Sequence, residues 1–211
     1  MLKKIRRILM VIDYISGKKR IAIVGLGYVG LPLCIAFGRV FKGVLGFDIN
    51  KKRIEELRSG KDFTLEVASK EIKKSFVEFT DNPESLKKAK IIIVAVPTPI
   101  DSHKMPDLIP LMKASEIVGS NMSKGTIVVY ESTVYPGVTE EICGTILERC
   151  SGFKSGEDFR LGYSPERINP GDRLHTLESI VKVVAGQDEE TTELLSQIYG
   201  KVVRAGVYKA K

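Results

Sequence analysis

Residues 21 to 30 read Ile21-Ala22-Ile23-Val24-Gly25-Leu26-Gly27-Tyr28-Val29-Gly30. A short apolar run feeds directly into three glycines spaced Gly-x-Gly-x-x-Gly. Asp48 follows eighteen residues after the last of them, at the end of a second apolar run, Val44-Leu45-Gly46-Phe47. Each glycine answers a different demand. Gly25 allows a tight strand-to-helix turn, Gly27 leaves the backbone bare where a pyrophosphate approaches, and Gly30 lets the helix pack closely on the strand. The amides at that helix start, with the positive end of its dipole, favour an anion. A carboxylate at position 48 can accept hydrogen bonds from both ribose hydroxyls of NAD and repels a 2′-phosphate, so the pattern favours NAD over NADP. Lys51 and Arg53 pull weakly the other way, because a cation can accommodate that phosphate. The strand before, the helix after and the acid at this distance separate the motif from a glycine turn used only for packing.

Outward from this turn, strand and helix patterns alternate along the whole chain. Strands are expected at 21–25, 43–48, near 77–79, and at 91–96, 126–130, 160–163, 180–185 and 201–204. Helices are expected at about 30–40, 50–59, 66–75, 107–122, 137–150 and 188–199. Asn50 reads as an N-cap, and Asp81-Asn82-Pro83-Glu84 as a cap with proline early in a helix. Ile91 to Val96 is a continuous apolar run, as in a strand buried on both faces of a parallel sheet. The expected fold is α/β, a Rossmann-like doubly wound, mostly parallel sheet with helices on both faces. No repeat or low-complexity segment interrupts it, and 151–159 reads as a loop.

The chain has 211 residues, 43% hydrophobic and 28% charged, with a net charge of +7. That composition describes a globular protein with enough apolar material for a full core. The apolar runs are strand-sized, well short of the roughly 20 residues that span a membrane. The charge invites a nucleic-acid reading, but its location argues against one. Residues 1–20 hold Lys3, Lys4, Arg6, Arg7, Lys18, Lys19 and Arg20 against Asp13, a net +6, which leaves +1 for the remaining 191 residues. Ile5, Ile8, Leu9, Ile12 and Ile15 recur at helical spacing, so 1–19 reads as a basic amphipathic helix packed on the body of the protein or on a partner chain. Residues 20–211 form the NAD-binding Rossmann domain. Cys34, Cys143 and Cys150 show no metal spacing, and no metal site is expected. Their odd number and the lack of a signal-peptide pattern point to a reducing, cytoplasmic setting. All three read as small core residues. His103 and His175 lie in polar loops and read as surface residues.

Three loops follow strand ends, where open sheets of this kind bind ligands. Val96-Pro97-Thr98-Pro99 rigidifies the exit of the strand beside the glycine turn. Glu131-Ser132-Thr133-Val134-Tyr135-Pro136-Gly137 offers hydroxyls to a cofactor or a bound water. Tyr163-Ser164-Pro165-Glu166-Arg167-Ile168-Asn169-Pro170-Gly171-Asp172 brings a carboxylate, a guanidinium and an amide into one Pro/Gly-fixed loop.

In this order and at this spacing, the glycine motif and the three loops resemble the nucleotide-sugar dehydrogenase family that includes UDP-glucose and GDP-mannose dehydrogenases. The resemblance covers residues 20–208. The loop from Ser164 to Asp172 is similar to the branch acting on UDP-N-acetylhexosamines in surface-polysaccharide synthesis. A member of this family oxidises the sugar's C6 alcohol to a carboxylate in two hydride transfers to NAD, through a thiohemiacetal and a thioester on a cysteine. Carried over by position, Glu166 matches a glutamate assisting the covalent-intermediate steps, and Thr133 a threonine that positions water and touches the nicotinamide. Arg167 and Asn169 match substrate-contacting positions. Gly25, Gly27, Tyr28, Val29, Gly30, Asp48, Arg53, Pro97, Thr98 and Thr133 fall on the cofactor side.

The resemblance also implies parts these 211 residues do not contain. Members of the family are about twice as long, with a central helix carrying a lysine and an asparagine, and a UDP-sugar-binding domain carrying the nucleophilic cysteine. None of Cys34, Cys143 and Cys150 sits in the glycine-rich context of that nucleophile. The expectation is therefore the NAD-binding portion of a UDP-N-acetylhexosamine 6-dehydrogenase that binds NAD but lacks turnover alone. Its partners are the UDP-sugar and either a second copy of the chain or a separately encoded C-terminal half. A non-catalytic NAD-binding module stays open as an alternative. A β-hydroxyacid dehydrogenase on the same cofactor domain is disfavoured by the Ser164–Asp172 loop.

Overall fold

The computed structural model describes residues 10–100, 105–166 and 179–210. Among the described residues eight strands form one sheet: β1 (Arg20–Val24), β2 (Val44–Phe47), β3 (Val77–Thr80), β4 (Ala89–Val94), β5 (Ile127–Tyr130), β6 (Arg160–Tyr163), β7 (Lys182–Gly186) and β8 (Val207–Lys209). Their spatial order is β3-β2-β1-β4-β5-β6-β7-β8. Every pairing is parallel except β6 with β7, which is antiparallel. The chain builds outward from β1 to β3, then crosses back to lay β4 on the other side of β1. The glycine turn follows β1 and therefore opens at the point where strand order reverses, the site of ligand binding in doubly wound sheets.

The central strands carry β-branched and aliphatic side chains on both faces because both faces are covered. Ile21 and Ile23 of β1 join Ile91 and Ile93 of β4 in one core, against α1 (Gly30–Val40) and α6 (Glu189–Tyr199). Ala22 and Val24 join Ile92 and Val94 in the other, against α4 (Ile109–Asn121) and α5 (Thr145–Ser151). The alternation is the period of two of a strand, with both sets apolar. The Phe37 ring packs on Phe41 at 5.6 Å and edge-on to Tyr199 at 5.5 Å, tying α1 to α6. Two further helices, α2 (Lys51–Arg58) and α3 (Ser69–Lys74), follow β2. Asn50 caps α2 by accepting from the Arg53 amide.

Four expectations need correction. The last strand lies at Val207–Lys209, not 201–204. The Val202 and Val203 amides both donate to the Tyr199 carbonyl at 2.9 Å, so this valine pair closes α6 and buries its side chains in the core instead of extending. Gly206, at φ +98°, then turns the chain into β8. Asn82 caps the segment after it by accepting from the Glu84 amide, with Pro83 at its start, but the helix it opens is a 3₁₀ helix, Pro83–Lys88, and the helix expected from 137 begins as a π-helix, Val138–Gly144. Near the N-terminus residues 10–15 are helical and Ile15 packs against the core as expected, but Val11 and Tyr14 are buried beside it while Ile12, expected on the same face, is exposed. Ile5, Ile8 and Leu9 lie outside the described residues.

Ile93 is fully buried in the central strand. Ile93→Ala is expected to lower the unfolding free energy by about 2–5 kcal/mol through lost transfer energy and a residual cavity, measured by urea denaturation.

Candidate cofactor site

The sheet's hydrogen-bond ladder runs one residue past each parallel strand and so places the first residue of each loop. Gly25 donates to Phe47 O, Ala95 to Val24 O, Glu131 to Val94 O and Ser164 to Tyr130 O, all at 2.9 Å, and Asp48 to Thr80 O at 3.2 Å. Gly25, Asp48, Val96–Pro99, Glu131–Thr133 and Ser164–Glu166 thus gather along one edge.

The glycines do different work. Gly25 sits at φ +90°, a region that side chains rarely adopt. A Cβ on Gly30 would lie 1.8 Å from the Gly25 carbonyl oxygen, so a side chain cannot fit there. A Cβ on Gly27 would meet nothing within 4 Å. Gly27 is therefore bare toward open space, as a cradle for a ligand requires. No side chain caps the start of α1 and its first turn holds no acidic residue, so no side chain offsets the positive end of its dipole. Tyr28 is exposed and Val29 half-buried beside this turn.

Asp48 ties the turn to β2. Its Oδ2 accepts from the Leu26 amide at 2.8 Å and its Oδ1 from the Asn50 amide at 2.9 Å. An ionised carboxylate has about four lone-pair sites, so capacity remains for two hydroxyls. Ile49, next in sequence, is 72% exposed and offers an apolar surface beside it.

Arg53 points inward. Its Nε donates to Leu26 O at 2.9 Å, and Nη2 lies 2.8 Å from Asp62 Oδ1, with the two side chains 3% and 1% exposed. Nη1 and Nη2 lack well-aligned acceptors, so the contact with Asp62 is an ion pair more than a directional bond. The guanidinium also covers the Phe63 ring at 4.4 Å. Burial opposes ionisation of Asp62, but hydrogen bonds from Thr64 and Val67, together with the Arg53 guanidinium beside it, overcome it and hold the carboxyl below its ordinary range. The short range of its bonds, to residues 64–67, makes Asp62 the organiser of the loop after α2.

The other loops are tied together across the edge. Thr98 Oγ1 donates to Thr133 O at 3.0 Å, and Ser132 Oγ donates to Val96 O at 2.6 Å. Pro97 and Thr133 are exposed. Behind them Glu131 is fully buried, accepting from Lys182 Nζ at 2.6 Å and from the Tyr199 hydroxyl at 2.5 Å. Lys182 Nζ also lies 3.3 Å from Glu166 Oε2. Burial alone would lower the Lys182 pKa; Glu131 and Glu166 outweigh it and hold the ammonium above its ordinary range. Burial and the Glu131 charge push the Tyr199 phenol up. The sequence reading missed Lys182, Tyr199 and the charge of Glu131. The only signal was a lysine opening an otherwise apolar strand. Arg167 and Asn169 lie outside the described residues.

Residues 19–203 match the UDP-glucose/GDP-mannose dehydrogenase family, NAD binding domain. The chain belongs to that family. It is 58% identical over 192 residues to Protein CapL of Staphylococcus aureus, and 55% identical over 192 residues to UDP-N-acetyl-D-glucosamine 6-dehydrogenase of Pseudomonas aeruginosa. These matches cover 91% and 90% of this chain and 45% of each relative, so the chain spans less than half the length of the relatives it matches. The structure of a UDP-D-ManNAc dehydrogenase from Pyrococcus horikoshii superposes with a TM-score of 0.83 at 32% identity, covering 91% of this chain and 47% of that one. The matching part of the family is its NAD-binding domain. Among the described residues no helix is long and apolar enough to cross a membrane.

Two glycine substitutions separate packing from ligand space. Gly30→Ala is expected to destabilise the fold by about 1–3 kcal/mol or more through overpacking, and Gly27→Ala to leave the melting temperature near wild type. Thermal unfolding of both variants checks this. For Asp62 the folded pKa lies below its ordinary 3.8, so its contribution is present above that pH and is lost as pH falls through the folded value. Asp62→Asn should therefore flatten the acid limb of a stability–pH curve measured by denaturant melts below pH 5.

Proposed function

We propose that the chain is the cofactor half of an NAD-dependent 6-dehydrogenase that oxidises the C6 alcohol of a UDP-N-acetylhexosamine to the uronate for surface-polysaccharide synthesis. The observation that carries the cofactor reading is the bare, outward-facing glycine turn joined to Asp48. The substrate reading rests on the Ser164-Pro165-Glu166 loop and on the 55% identical relative named for UDP-N-acetyl-D-glucosamine.

The bound dinucleotide would supply the hydride acceptor. The amides of Tyr28, Val29 and Gly30 at the start of α1 hold its pyrophosphate, with Gly25 and Gly27 giving the backbone the needed closeness. Asp48 takes the adenosine ribose hydroxyls and rejects a 2′-phosphate. Arg53 supports this end indirectly, fixing the Leu26 carbonyl and spending its charge on Asp62. This removes the strongest cation that could have favoured NADP. Pro97, Thr98 and Thr133 border the nicotinamide end, where Thr133 also orders water. Glu166 acts on the substrate side, with Arg167 and Asn169 contacting the sugar nucleotide.

The covalent step needs a thiolate. Cys34 is fully buried and burial pushes its thiol far up; burial raises Cys143 as well. Neither supplies a nucleophile at this edge, and Cys150 lies at the contact of α5 with Gly119 of α4, so in this reading the thiolate comes from a C-terminal portion or a partner polypeptide.

Calorimetry on the 211-residue chain is expected to show NAD binding with a Kd in the millimolar range or tighter, and weaker NADP binding. Asp48→Ala should weaken NAD by about tenfold or more, from loss of charged hydrogen bonds worth ~1.5–3 kcal/mol, and should narrow the preference over NADP. Glu166→Gln should leave NAD affinity near wild type. No binding at millimolar NAD overturns the cofactor reading. Sustained NADH formation from UDP-N-acetylglucosamine by this chain alone overturns the need for an external nucleophile.

A further inference from the structure

Four titratable side chains from separate parts of the chain meet behind the candidate substrate side. Glu131 opens the loop after β5, Lys182 opens β7, Tyr199 ends α6 and Glu166 follows Ser164-Pro165. Exposure rises outward through the group, from 0% for the Glu131 side chain to 4% for Lys182 and 12% for Glu166. Lys182 Nζ stands between the two carboxylates, 2.6 Å from Glu131 Oε2 and 3.3 Å from Glu166 Oε2. The Tyr199 hydroxyl holds the other Glu131 oxygen at 2.5 Å. A second tie runs through the backbone, where the Glu166 amide donates to Glu131 O at 3.1 Å.

A buried Lys–Glu pair adds little stability over an apolar pair of similar volume, because desolvation offsets the attraction. The arrangement does something an apolar pair cannot. An ammonium has three donors. Glu131 engages one from below, and another reaches the carboxylate at the mouth of the site. We infer that Lys182 is the positioning residue of Glu166. Clamped by Glu131, and with Tyr199 fixing Glu131 in turn, its ammonium holds Glu166 Oε2 against the core and so sets the direction of the carboxylate's other oxygen. The functional weight of this role rests on the reading of Glu166 as a substrate-side carboxylate. The coupling itself does not.

NMR on the full chain tests it without turnover. A buried, ion-paired ammonium exchanges its protons slowly, so ¹⁵N-labelled protein should show a protected lysine ammonium signal that disappears in Lys182→Arg. Glu166→Gln should displace that signal. With ¹³C-carboxyl-labelled glutamate, the resonance lost in Glu166→Gln identifies Glu166. It should stay near its wild-type position in Lys182→Arg and move in the double variant Glu131→Gln/Lys182→Met, which leaves no unpaired buried charge. A Lys182 that serves Glu131 alone, without holding Glu166 Oε2, predicts no such movement once the double variant is folded. Absence of a protected ammonium, its indifference to Glu166→Gln, or a Glu166 resonance unmoved in the folded double variant overturns the inference. If the double variant does not fold, the ammonium comparison alone decides. NAD titrated into the same samples separates the two readings: loss of binding in every sample refutes the dehydrogenase assignment, while the resonance shifts independently judge Lys182.

Discussion

Helix α1 lies so close to the end of β1 that no side chain fits between them, and the site depends on that contact. With the Gly25 carbonyl 1.8 Å from where a Gly30 Cβ would stand, backbone meets backbone. The helix start then presents amides instead of side chains to the edge of the sheet. The same closeness presses Phe37 into the core against Phe41 and Tyr199, so the helix that forms the anion cradle also belongs to the larger of the two hydrophobic clusters. Binding geometry and core packing are in this respect one constraint.

The second organising theme is that charges at this edge are layered by depth. Asp48, at the surface, is held by two backbone amides and keeps capacity to spare. Arg53 and Asp62 neutralise each other beneath it and brace Leu26. Glu131 and Lys182 do the same beneath the loops after β5 and β6. In both places a buried pair steadies an outer group suited to a ligand. Buried ion pairs contribute modestly to stability, so their value here lies in fixing positions.

Much of this was legible in the sequence because it is local or periodic. The glycine turn, the continuous apolar run of β4 and the cap at Asn50 each follow from residues within a few positions of one another, and the carboxylate at position 48 from a fixed spacing within one strand–helix–strand unit. The failures share a physical cause. Val202 and Val203 read as a strand by β-propensity, yet capping of α6 and burial beside Tyr199 decide their conformation. Near the N-terminus the buried face of the helix centres on Val11 and Tyr14 and leaves Ile12 exposed, because Tyr14 buries its ring. Arg53 read as a free cation near the ribose, but its partner Asp62 lies outside its own helix. Lys182 and Glu131 are 51 residues apart, and only the sheet brings them together.

The reversal of β7 has a further consequence. In a parallel sheet every strand delivers its last residue to the ligand edge and its first to the opposite one. β7 pairs antiparallel to β6, with Tyr163 opposite Ala185, and β8 runs parallel to β7, so the opening residue of β7 arrives where β1 to β6 end. A parallel β7 of five residues would have carried Lys182 to the far side of the sheet, roughly 13–16 Å away at about 3.3 Å per residue. The antiparallel edge therefore acts as a supply line. It lets a residue encoded well after the parallel core enter the site from beneath, without lengthening any loop above it.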